Sequence, residues 1–362
     1  MKAVVFRGEG KYGVEEVKLD PPQAGEVKIK MGATGVCHSD LSVINGVLPL
    51  PSPIILGHEG AGTVSELGDG VTGLEVGDHV VLSFIPQCGT CNECRNGRFV
   101  FCEAGAPHGK MIDGTARVHG ADGEDLNVMQ FLGCMAEEAV VPATACVKAD
   151  TSLPFDRAAL IGCGVTTGVG AAFNTAKVTP GSTVAVFGCG GIGLSVIQGA
   201  KLSGAKQIIA VDLADNKLEM ARSFGATDTI NGGDGLAVMT IHEMTGGGVD
   251  FAFEAVGAPA LMSATYDACR RGGTATIVGV GSLTDSFPIN ALMVSMSGKT
   301  LKGSMYGDAN PHVDFPMLIN LYQQGKLNLD DMISATYTID EAAKAFEDME
   351  SNKNARGVIT YN

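Results

Sequence analysis

The chain has 362 residues, of which 45% are hydrophobic and 18% are charged. This composition excludes a disordered protein, and the length suffices for about two domains that each bury a core. The formal net charge of −15 argues against nucleic acid or an anionic membrane surface as a partner, because both bind basic patches. We expect neither a signal peptide nor a run of about 18 apolar residues that could cross a bilayer, and hence a cytoplasmic protein.

Residues 1–155 predict a mostly β domain. Pro and Gly turns separate short apolar or alternating runs at the spacing of a compact barrel or sandwich. These runs are Lys2–Phe6, Glu26–Met31, Gly62–Glu66 and Asp78–Leu82. The Gly- and Asp-rich residues between positions 102 and 135 are interpreted as a surface loop.

From Ser182 onward the sequence alternates strand, glycine turn and helix. This alternation predicts βαβ units and a parallel sheet. The predicted strands are Thr183–Phe187, Gln207–Val211, Val249–Glu254 and Thr274–Val280, and the predicted helices between them include Ile192–Ser203 and Asp215–Phe224. The remaining residues predict helices at Val313–Gln324 and Ile339–Glu350 and a last strand at Gly357–Tyr361.

Four cysteines lie close together in sequence, at Cys88, Cys91, Cys94 and Cys102. Thiolates that converge in one short loop suit a closed tetrahedral zinc site, which stabilises the loop and leaves no position for a substrate. One alternative is an iron–sulfur cluster, although the bacterial cysteine run has a shorter last spacing that is followed by Pro. The other is a pair of disulfides. The chain has ten cysteines and no export signal, which favours metal ligands and free thiols.

A glycine loop, Gly188-Cys-Gly190-Gly191-Ile192-Gly193, follows a predicted strand and opens a predicted helix. Its glycines permit a tight turn and a close approach of the backbone to a pyrophosphate at a helix N-terminus. Asp212, at the end of the next strand, can accept a hydrogen bond from a ribose 2′-OH and would repel a 2′-phosphate, which favours NAD over NADP. Lys217 could reach the same ribose or lie on a solvated helix face. The alternative for the whole motif is a glycine turn in another α/β domain.

Three further segments complete the pattern: Cys37-His38-Ser39-Asp40, Gly57-His58-Glu59 and Gly162-Cys163-Gly164. With the cysteine loop and the glycine loop, they resemble the zinc-dependent medium-chain alcohol dehydrogenases over essentially the whole chain. Within this family, the sequence is most similar to those of bacterial members that include the nitrosoaniline-dependent nicotinoprotein alcohol dehydrogenases. This likeness is carried by Asp20-Pro-Pro-Gln-Ala-Gly-Glu-Val27, Val81-Leu-Ser-Phe-Ile-Pro-Gln-Cys88, Gly162-Cys-Gly-Val-Thr-Thr-Gly168 and Asn354-Ala-Arg-Gly-Val-Ile359.

The resemblance implies an α/β protein with a GroES-like, mostly β catalytic domain and a Rossmann domain, which is a doubly wound parallel sheet. The expected catalytic domain spans residues 1–165 and includes a structural zinc lobe at about 86–104. The NAD-binding domain is expected at 166–304, and residues 305–362 are expected to return and complete the catalytic domain.

The resemblance also implies two zinc ions per chain, one in the cysteine loop and one at a catalytic centre. The catalytic ligands are implied to be Cys37, His58 and Cys163, with Glu59 as an alternative ligand. Three protein ligands leave a fourth position for an alcohol oxygen, an arrangement known for catalytic zinc in alcohol dehydrogenases. Asp40 is implied to orient His58, although the same carboxylate could simply cap a helix.

Ser39 is implied to take the alcohol proton. In many relatives this proton relay ends at a histidine, whereas Ser42 stands at that position here. The terminal base therefore stays open, and we hypothesise a water held by Ser42.

Further residues are implied to contact NAD or the substrate. His38 and Arg356 are expected at the pyrophosphate, with Glu59 as a second possible partner of Arg356. Thr167 and Val278 are expected beside the nicotinamide. Val256 and Val280 are also assigned to the cofactor. An apolar substrate pocket is expected from Leu48, Phe84, Phe131 and Leu132.

The implied activity is reversible NAD(H)-dependent oxidation of primary medium-chain or aromatic alcohols to aldehydes, by a homodimer or homotetramer. One alternative is a nicotinoprotein with permanently bound NAD and an external acceptor. Another is an S-(hydroxymethyl)glutathione dehydrogenase, but such relatives carry an Arg shortly after the fourth loop cysteine, and here the next Arg is Arg117. A third is a binding or structural relative that keeps only the loop zinc.

Overall fold

The computed structural model describes residues 1–105, 109–351 and 355–361. Asn354 of the last quoted phrase, and residues 106–108 after the cysteine loop, lie outside the described residues. The strands are β1 (Lys2–Gly8), β2 (Lys11–Glu16), β3 (Lys18–Leu19), β4 (Glu26–Val36), β5 (Ile54–Ile55), β6 (Gly60–Leu67), β7 (His79–Leu82), β8 (Val118–His119), β9 (Asp125–Val128), β10 (Glu138–Pro142), β11 (Cys146–Lys148), β12 (Thr183–Phe187), β13 (Gln207–Asp212), β14 (Asp228–Asn231), β15 (Val249–Glu254), β16 (Cys269–Ile277), β17 (Thr300–Gly303), β18 (Ile333–Tyr337) and β19 (Arg356–Thr360). The helices are α1 (His38–Ile44), α2 (Asn92–Arg95), α3 (Phe155–Leu160), α4 (Thr166–Gly170), α5 (Gly191–Leu202), α6 (Asp215–Phe224), α7 (Ala237–Thr245), α8 (Pro259–Ala268), α9 (Ala291–Ser297), α10 (Pro311–Gln323) and α11 (Ala342–Glu350).

The chain divides into two compact units. The first consists of Met1–Cys163 and Asn310–Asn362, and the second of Gly164–Ala309. The first unit is therefore discontinuous in sequence, with the second inserted into it. The boundaries expected from the sequence were 165/166 and 304/305.

The first unit contains two sheets. One has the strand order β2-β1-β5-β9-β8-β3, and the other has the order β11-β7-β6-β4-β19-β18, with β10 also paired to β4. In the second sheet β4 and β6 are antiparallel, with Thr34 opposite Gly60. The end of β4 therefore lies beside the start of β6. This register brings Cys37, just after β4, near His58 and Glu59, just before β6.

The interpretation of residues 102–135 as a surface loop was wrong for its second half. That part forms β8 and β9, and it buries Arg117, which is only 2% exposed. The Arg117 guanidinium makes two hydrogen bonds to Glu26, at 2.8 and 2.7 Å. A bidentate carboxylate partner makes such burial of a charge tolerable. Gly and Asp content alone did not reveal this pair, since its partner is 91 residues away.

The second unit is a six-stranded parallel sheet in the order β14-β13-β12-β15-β16-β17. This order reverses between β12 and β15, which is the topological switch point of a Rossmann fold. The doubly wound parallel sheet expected from the sequence is thus confirmed. Strands β12 and β15 and helix α6 have the predicted bounds, whereas β16 begins at Cys269 and ends at Ile277, three residues before the predicted end.

A continuous helical stretch runs from Phe155 to Ala176 and includes two π-helical turns, Ile161–Val165 and Ala171–Ala176. Within the described residues, it is the one helix that is long and apolar enough to cross a membrane. The expectation that no such run exists was therefore wrong. However, 89% of its most apolar window is buried inside the protein, which is typical of a core helix.

Candidate active site and zinc centres

The four predicted catalytic ligands converge in the first unit. One ligand atom from each of Cys37, His58, Glu59 and Cys163 lies within 4.8 Å of those of the other three. Cys37 is the N-cap of α1, and Cys163 lies in the π-helical turn after α3. The strand register described above supplies His58 and Glu59. Residues that are 126 positions apart in sequence thus form one cluster.

His58 is held in the orientation of a metal ligand. Its Nδ1 atom lies 3.3 Å from Oδ1 of Asp40. Its Nε2 atom is buried and, among the described residues, has no hydrogen-bond partner. A buried polar nitrogen without a partner is costly unless a ligand completes it. Metal-binding histidines use one ring nitrogen for the ion and the other for a carboxylate, so this side chain fits zinc.

Asp40 does more than orient His58. Its Oδ2 atom accepts a hydrogen bond from the backbone N–H of Cys37 at 3.2 Å, and its Oδ1 atom accepts one from Gly57 at 2.9 Å. The carboxylate therefore caps α1 and also fixes the segment before His58. The two alternatives left open by the sequence, orienting carboxylate and helix cap, are both present.

The two thiols of the cluster shift each other's pKa values in opposite directions. A hydrogen bond with Cys163 lowers the pKa of Cys37 well below its usual value, and the same contact raises the pKa of Cys163. Zn²⁺ binds cysteine as thiolate, so two thiolates and one neutral imidazole form a suitable donor set. That set is Cys₂His with room for a further ligand.

Glu59 is fully buried and forms an ion pair with the buried Arg356. Burial raises the pKa of Glu59 to about 7, against the effect of the neighbouring guanidinium. Of the two partners expected for Arg356, the structure therefore shows Glu59.

The predicted proton relay begins beside the cluster. Ser39 is half-buried in the first turn of α1, and its Oγ atom lies 3.7 Å from Sγ of Cys37. Ser42 lies in the next turn and is also half-buried, whereas His38 is exposed. Ser39 therefore lies beside the ligand cluster, where the proposed proton acceptor for an alcohol is expected.

The cysteine loop also brings its four ligands together. The sulfur atoms of Cys88, Cys91, Cys94 and Cys102 lie within 4.8 Å of one another, a limit that includes the spacing of about 3.8 Å that tetrahedral Zn–S bonds of about 2.3 Å require. Backbone N–H groups point at these sulfurs, including Cys91 N to Cys88 Sγ at 3.3 Å and Cys94 N to Cys91 Sγ at 3.4 Å. All ten cysteines are free thiols in the described residues.

Hydrogen bonds and burial act in opposite directions on the pKa values of this loop. Backbone N–H groups of Thr90 and Cys91 lower the pKa of Cys88 to about 6, whereas burial raises the pKa of Cys94 to about 12. Burial disfavours the ionised form of a thiol, so a buried thiol becomes a thiolate only beside a cation. The loop therefore has the chemistry of a closed structural zinc site.

The glycine loop of the second unit requires its glycines. A Cβ atom on Gly193 would lie 1.8 Å from the carbonyl oxygen of Gly188, and Gly188 itself has φ +93°. Gly190 is the N-cap of α5, and Gly191 and Ile192 begin that helix. The loop leaves β12 at the switch point, which is the edge where a Rossmann fold binds its dinucleotide.

Asp212 is fixed at the same edge, at the end of β13. Its Oδ2 atom accepts from the backbone N–H of Cys189 in the glycine loop at 2.8 Å. Its Oδ1 atom accepts from Leu213 at 2.8 Å and from Ala214 at 3.1 Å. The carboxylate is thus preorganised beside the loop. Lys217 follows in the first turn of α6.

The other predicted cofactor residues of this unit follow β15 and β16, with Thr167 in α4. Val256 packs where a side chain on Gly188 would otherwise be, and both Val256 and Val280 are more than half exposed. Val278 is buried. The exposed valines form an apolar surface at the edge that carries the glycine loop.

Glu254, at the end of β15, was missed by the sequence analysis. It is fully buried, and its Oε1 atom accepts hydrogen bonds from the backbone N–H groups of Val256, Gly257 and Ala258, at 2.9, 2.7 and 3.3 Å. The side chain therefore shapes the turn that carries Val256. The signal available in the sequence was an acidic residue at the end of an apolar strand, shortly before a glycine.

The predicted pocket residues are not all brought together. The Phe84 ring packs edge-on against the His58 ring, with centroids 5.7 Å apart, and Phe84 shares an apolar cluster with Leu132. Phe131 is buried next to Leu132 with φ +64°. Leu48 instead packs against a separate cluster. Of these four residues, Phe84 is the one for which a ring contact with His58 is seen in the described part of the chain.

Arg117 is not available to bind a substrate carboxylate. Its guanidinium donates to Glu26, Asp113, Thr115 and the carbonyl of Ala116. These five hydrogen bonds use all the N–H groups that the side chain has.

Known families and proteins match the chain along nearly its whole length. Residues 23–151 match the alcohol dehydrogenase GroES-like domain, and residues 191–324 match the zinc-binding dehydrogenase domain. The chain is 40% identical to alcohol dehydrogenase B of Mycobacterium tuberculosis, with 99% of this chain and 97% of that protein covered. It is 41% identical to the S-(hydroxymethyl)glutathione dehydrogenase of Saccharomyces cerevisiae, with 99% and 95% covered.

The fold is also similar to that of solved structures. Benzyl alcohol dehydrogenase from Acinetobacter calcoaceticus superposes with a TM-score of 0.94 at 35% identity, and 100% of this chain and 99% of that chain are covered. These similarities agree with the zinc clusters and the Rossmann sheet. The chain belongs to the zinc-dependent medium-chain alcohol dehydrogenases, oxidoreductases that use zinc and a nicotinamide cofactor.

Proposed function

We propose that this alcohol dehydrogenase oxidises primary alcohols with an aromatic or medium-length apolar group to aldehydes, reversibly and with NAD. The observation that carries the proposal is the surroundings of His58. Among the described residues its Nε2 atom is buried without a hydrogen-bond partner, the Cys37 and Cys163 thiols lie within 4.8 Å of its ligand nitrogen, and the Phe84 ring packs against the imidazole. An aromatic wall beside the reacting position favours an apolar substituent on the alcohol.

Residues of the first unit have different roles at the proposed catalytic centre. Cys37, His58 and Cys163 would hold zinc, which when bound supplies a Lewis acid that makes an alcohol easier to deprotonate. Asp40 keeps His58 in the required tautomer and orientation through its contact with Nδ1. Ser39 would accept the alcohol proton as its own hydroxyl proton passes to a water held by Ser42. Glu59, paired with Arg356, serves as the alternative ligand.

The residues of the second unit would hold the cofactor. The glycine loop from Gly188 to Gly193 would bind the pyrophosphate, and the nicotinamide supplies the hydride acceptor. Asp212 favours NAD over NADP, because its fixed carboxylate accepts from a ribose 2′-OH and repels a 2′-phosphate. His38 and Thr167 would contribute to the same site, together with Lys217, Val256, Val278 and Val280.

We also propose two zinc ions per chain, with the second ion in the cysteine loop, and a cytoplasmic homodimer or homotetramer. The assembly is supported by an apolar surface formed by α9 and the edge strand β17. Six of the seven residues of α9 are exposed, and the exposed apolar side chains of this surface include Leu292, Val294, Met296 and Leu301. An open strand edge beside such a surface favours pairing with the same edge of a second copy.

A substrate panel tests the activity. Purified protein would be assayed for kcat/KM with ethanol, hexanol and benzyl alcohol, with NAD or NADP, and with formaldehyde plus glutathione. We expect benzyl alcohol or hexanol with NAD to give the highest value, since Arg117 has no free N–H for a glutathione carboxylate. Preference for the glutathione adduct would contradict the proposal. Activity that needs an artificial acceptor, with NAD retained through gel filtration, would instead identify a nicotinoprotein.

A further inference from the structure

Two side-chain hydroxyls converge on the backbone carbonyl of Cys134. Thr34 Oγ1 donates to this oxygen, and Tyr361 Oη donates to it at 3.1 Å. A carbonyl oxygen has two lone pairs, so these two donors saturate it. Thr34 is fully buried in β4, and Tyr361 directly follows β19. The C-terminal residues are thereby attached to a segment more than 220 residues earlier in the chain.

That segment, Phe131–Met135, braces the loop that carries His58. The backbone N–H of Cys134 donates to Gly57 O at 3.1 Å, and that of Met135 donates to Leu56 O at 2.9 Å. A Cβ atom on Gly57 would lie only 2.3 Å from Met135 N, so the glycine permits the close approach. Asp40 holds Gly57 from its other side. His58 therefore depends on both contacts for its position.

The same segment carries two of the expected pocket residues, and one of them, Phe131, has an unfavourable backbone conformation. Phe131 has φ +64°, and its neighbours Gln130 and Gly133 have φ +52° and +54°. For side-chain-bearing residues such angles persist only where surrounding contacts enforce them. The hydroxyls at Cys134 are contacts of this kind, one residue beyond the strained turn.

We propose that Tyr361 and Thr34 are positioning residues for the substrate pocket. Their hydroxyls fix the Phe131–Met135 segment, and through it the pocket wall at Phe131 and Leu132 and the loop before His58. The inference deepens the proposed function and rests on it. It predicts that removal of either hydroxyl changes the selection among alcohols without loss of zinc.

The test compares Tyr361→Phe, Thr34→Val and the double variant with Tyr337→Phe. Tyr337 is a suitable control, because it is a buried tyrosine of the same unit whose hydroxyl donates to Asp348 at 3.0 Å. Each variant would be assayed for kcat and KM with benzyl alcohol and ethanol, for zinc content, and for amide hydrogen exchange in residues 131–135. Thr34→Ser, which keeps a hydroxyl, should restore the behaviour of the unchanged protein.

We expect Tyr361→Phe to raise the KM for benzyl alcohol about fivefold, the usual effect of one hydrogen bond, with little change for ethanol. Exchange at Cys134 and Met135 should be faster, and the double variant should show a larger effect. Variants that match Tyr337→Phe in exchange and in KM ratio would overturn the proposal, and so would an equal loss with both alcohols. If the unchanged protein oxidises no alcohol, the proposed function fails instead, while the exchange measurement still tests the contact.

Discussion

Oδ1 of Asp40 lies 3.3 Å from Nδ1 of His58, and the same carboxylate holds the backbone N–H groups of Cys37 and Gly57. One side chain thus connects two of the proposed catalytic zinc ligands. Asp40→Asn keeps the shape but turns an acceptor into a donor, so it cannot serve all three groups. Zinc affinity of the catalytic site should fall about 10- to 100-fold.

Zinc retained per chain after dialysis against a chelator measures this effect. The loop zinc serves as an internal reference, because Asp40 does not contact the cysteine loop in the described residues. The surface variant Asp20→Asn is the matched control. Equal zinc retention by Asp40→Asn and Asp20→Asn would show that the carboxylate does not support the site.

Cys94→Ser should remove the structural zinc and little else. One sulfur of the four is lost, so zinc content should fall from two ions to one per chain, and the melting temperature should fall with it. The rate of hydride transfer in a single turnover should stay within about twofold, because the catalytic ligands are elsewhere. Cys269→Ser is the control, since that buried thiol donates a hydrogen bond to the Thr265 carbonyl and belongs to neither ligand cluster of the described residues.

Asp212→Asn should weaken the preference for NAD. The charged acceptor for the ribose hydroxyl is lost, at a cost of about tenfold in kcat/KM with NAD. Repulsion of a 2′-phosphate is lost as well, so the value with NADP should rise. Asp215→Asn, an exposed carboxylate at the start of α6, provides the comparison. An unchanged NAD-to-NADP ratio would rule out the role assigned to Asp212.

Glu254→Ala should destabilise the second unit. Three backbone N–H groups would lose their buried acceptor, which costs about 3 kcal/mol in the free energy of unfolding. Glu254→Gln keeps an acceptor oxygen and should cost less than about 1 kcal/mol. Urea unfolding of the three proteins measures the difference. If Glu254→Ala and Glu254→Gln had the same free energy of unfolding, the turn after β15 would not need this acceptor.

The same residue predicts a pH dependence. Burial raises the pKa of Glu254 above the usual 4.5, so the folded state holds this proton more tightly than the unfolded state does. Its contribution to stability is therefore full below pH 4.5 and is lost as the pH rises through the folded-state pKa. The melting temperature of Glu254→Gln, relative to that of the unchanged protein, should increase between pH 4.5 and pH 8. A constant difference would contradict the assignment.

The fold class and the convergence of the four loop cysteines could be predicted because their signals are local. The glycine loop, Asp212 and the four-cysteine loop each occupy a short stretch, and strand β12 is an almost wholly apolar run. The catalytic ligands are different. Cys37, His58 and Cys163 were recognised only through resemblance to a family, since no rule of spacing joins residues so far apart.

Contacts between distant residues account for what the sequence analysis missed. The Arg117–Glu26 pair turns a supposed surface loop into buried structure, and neither residue reveals its partner. Leu48 was grouped with Phe84 by analogy, but the tertiary packing puts it against another cluster. Glu254 and Tyr361 act through backbone groups, which carry no side-chain signature in the sequence.

The Cys163 side chain lies in the π-helical turn Ile161–Val165. The direction in which it points therefore depends on how many residues precede it in the helix, and not only on which of them are apolar. Such a turn holds one residue more than an α-helical turn, and each residue of a helix advances the direction of its side chain by about 100°. Loss of a single residue between Phe155 and Cys163 would leave an apolar, well-buried helix whose thiol points away from His58. A homologue could therefore preserve every burial pattern of this helix and still have lost its zinc.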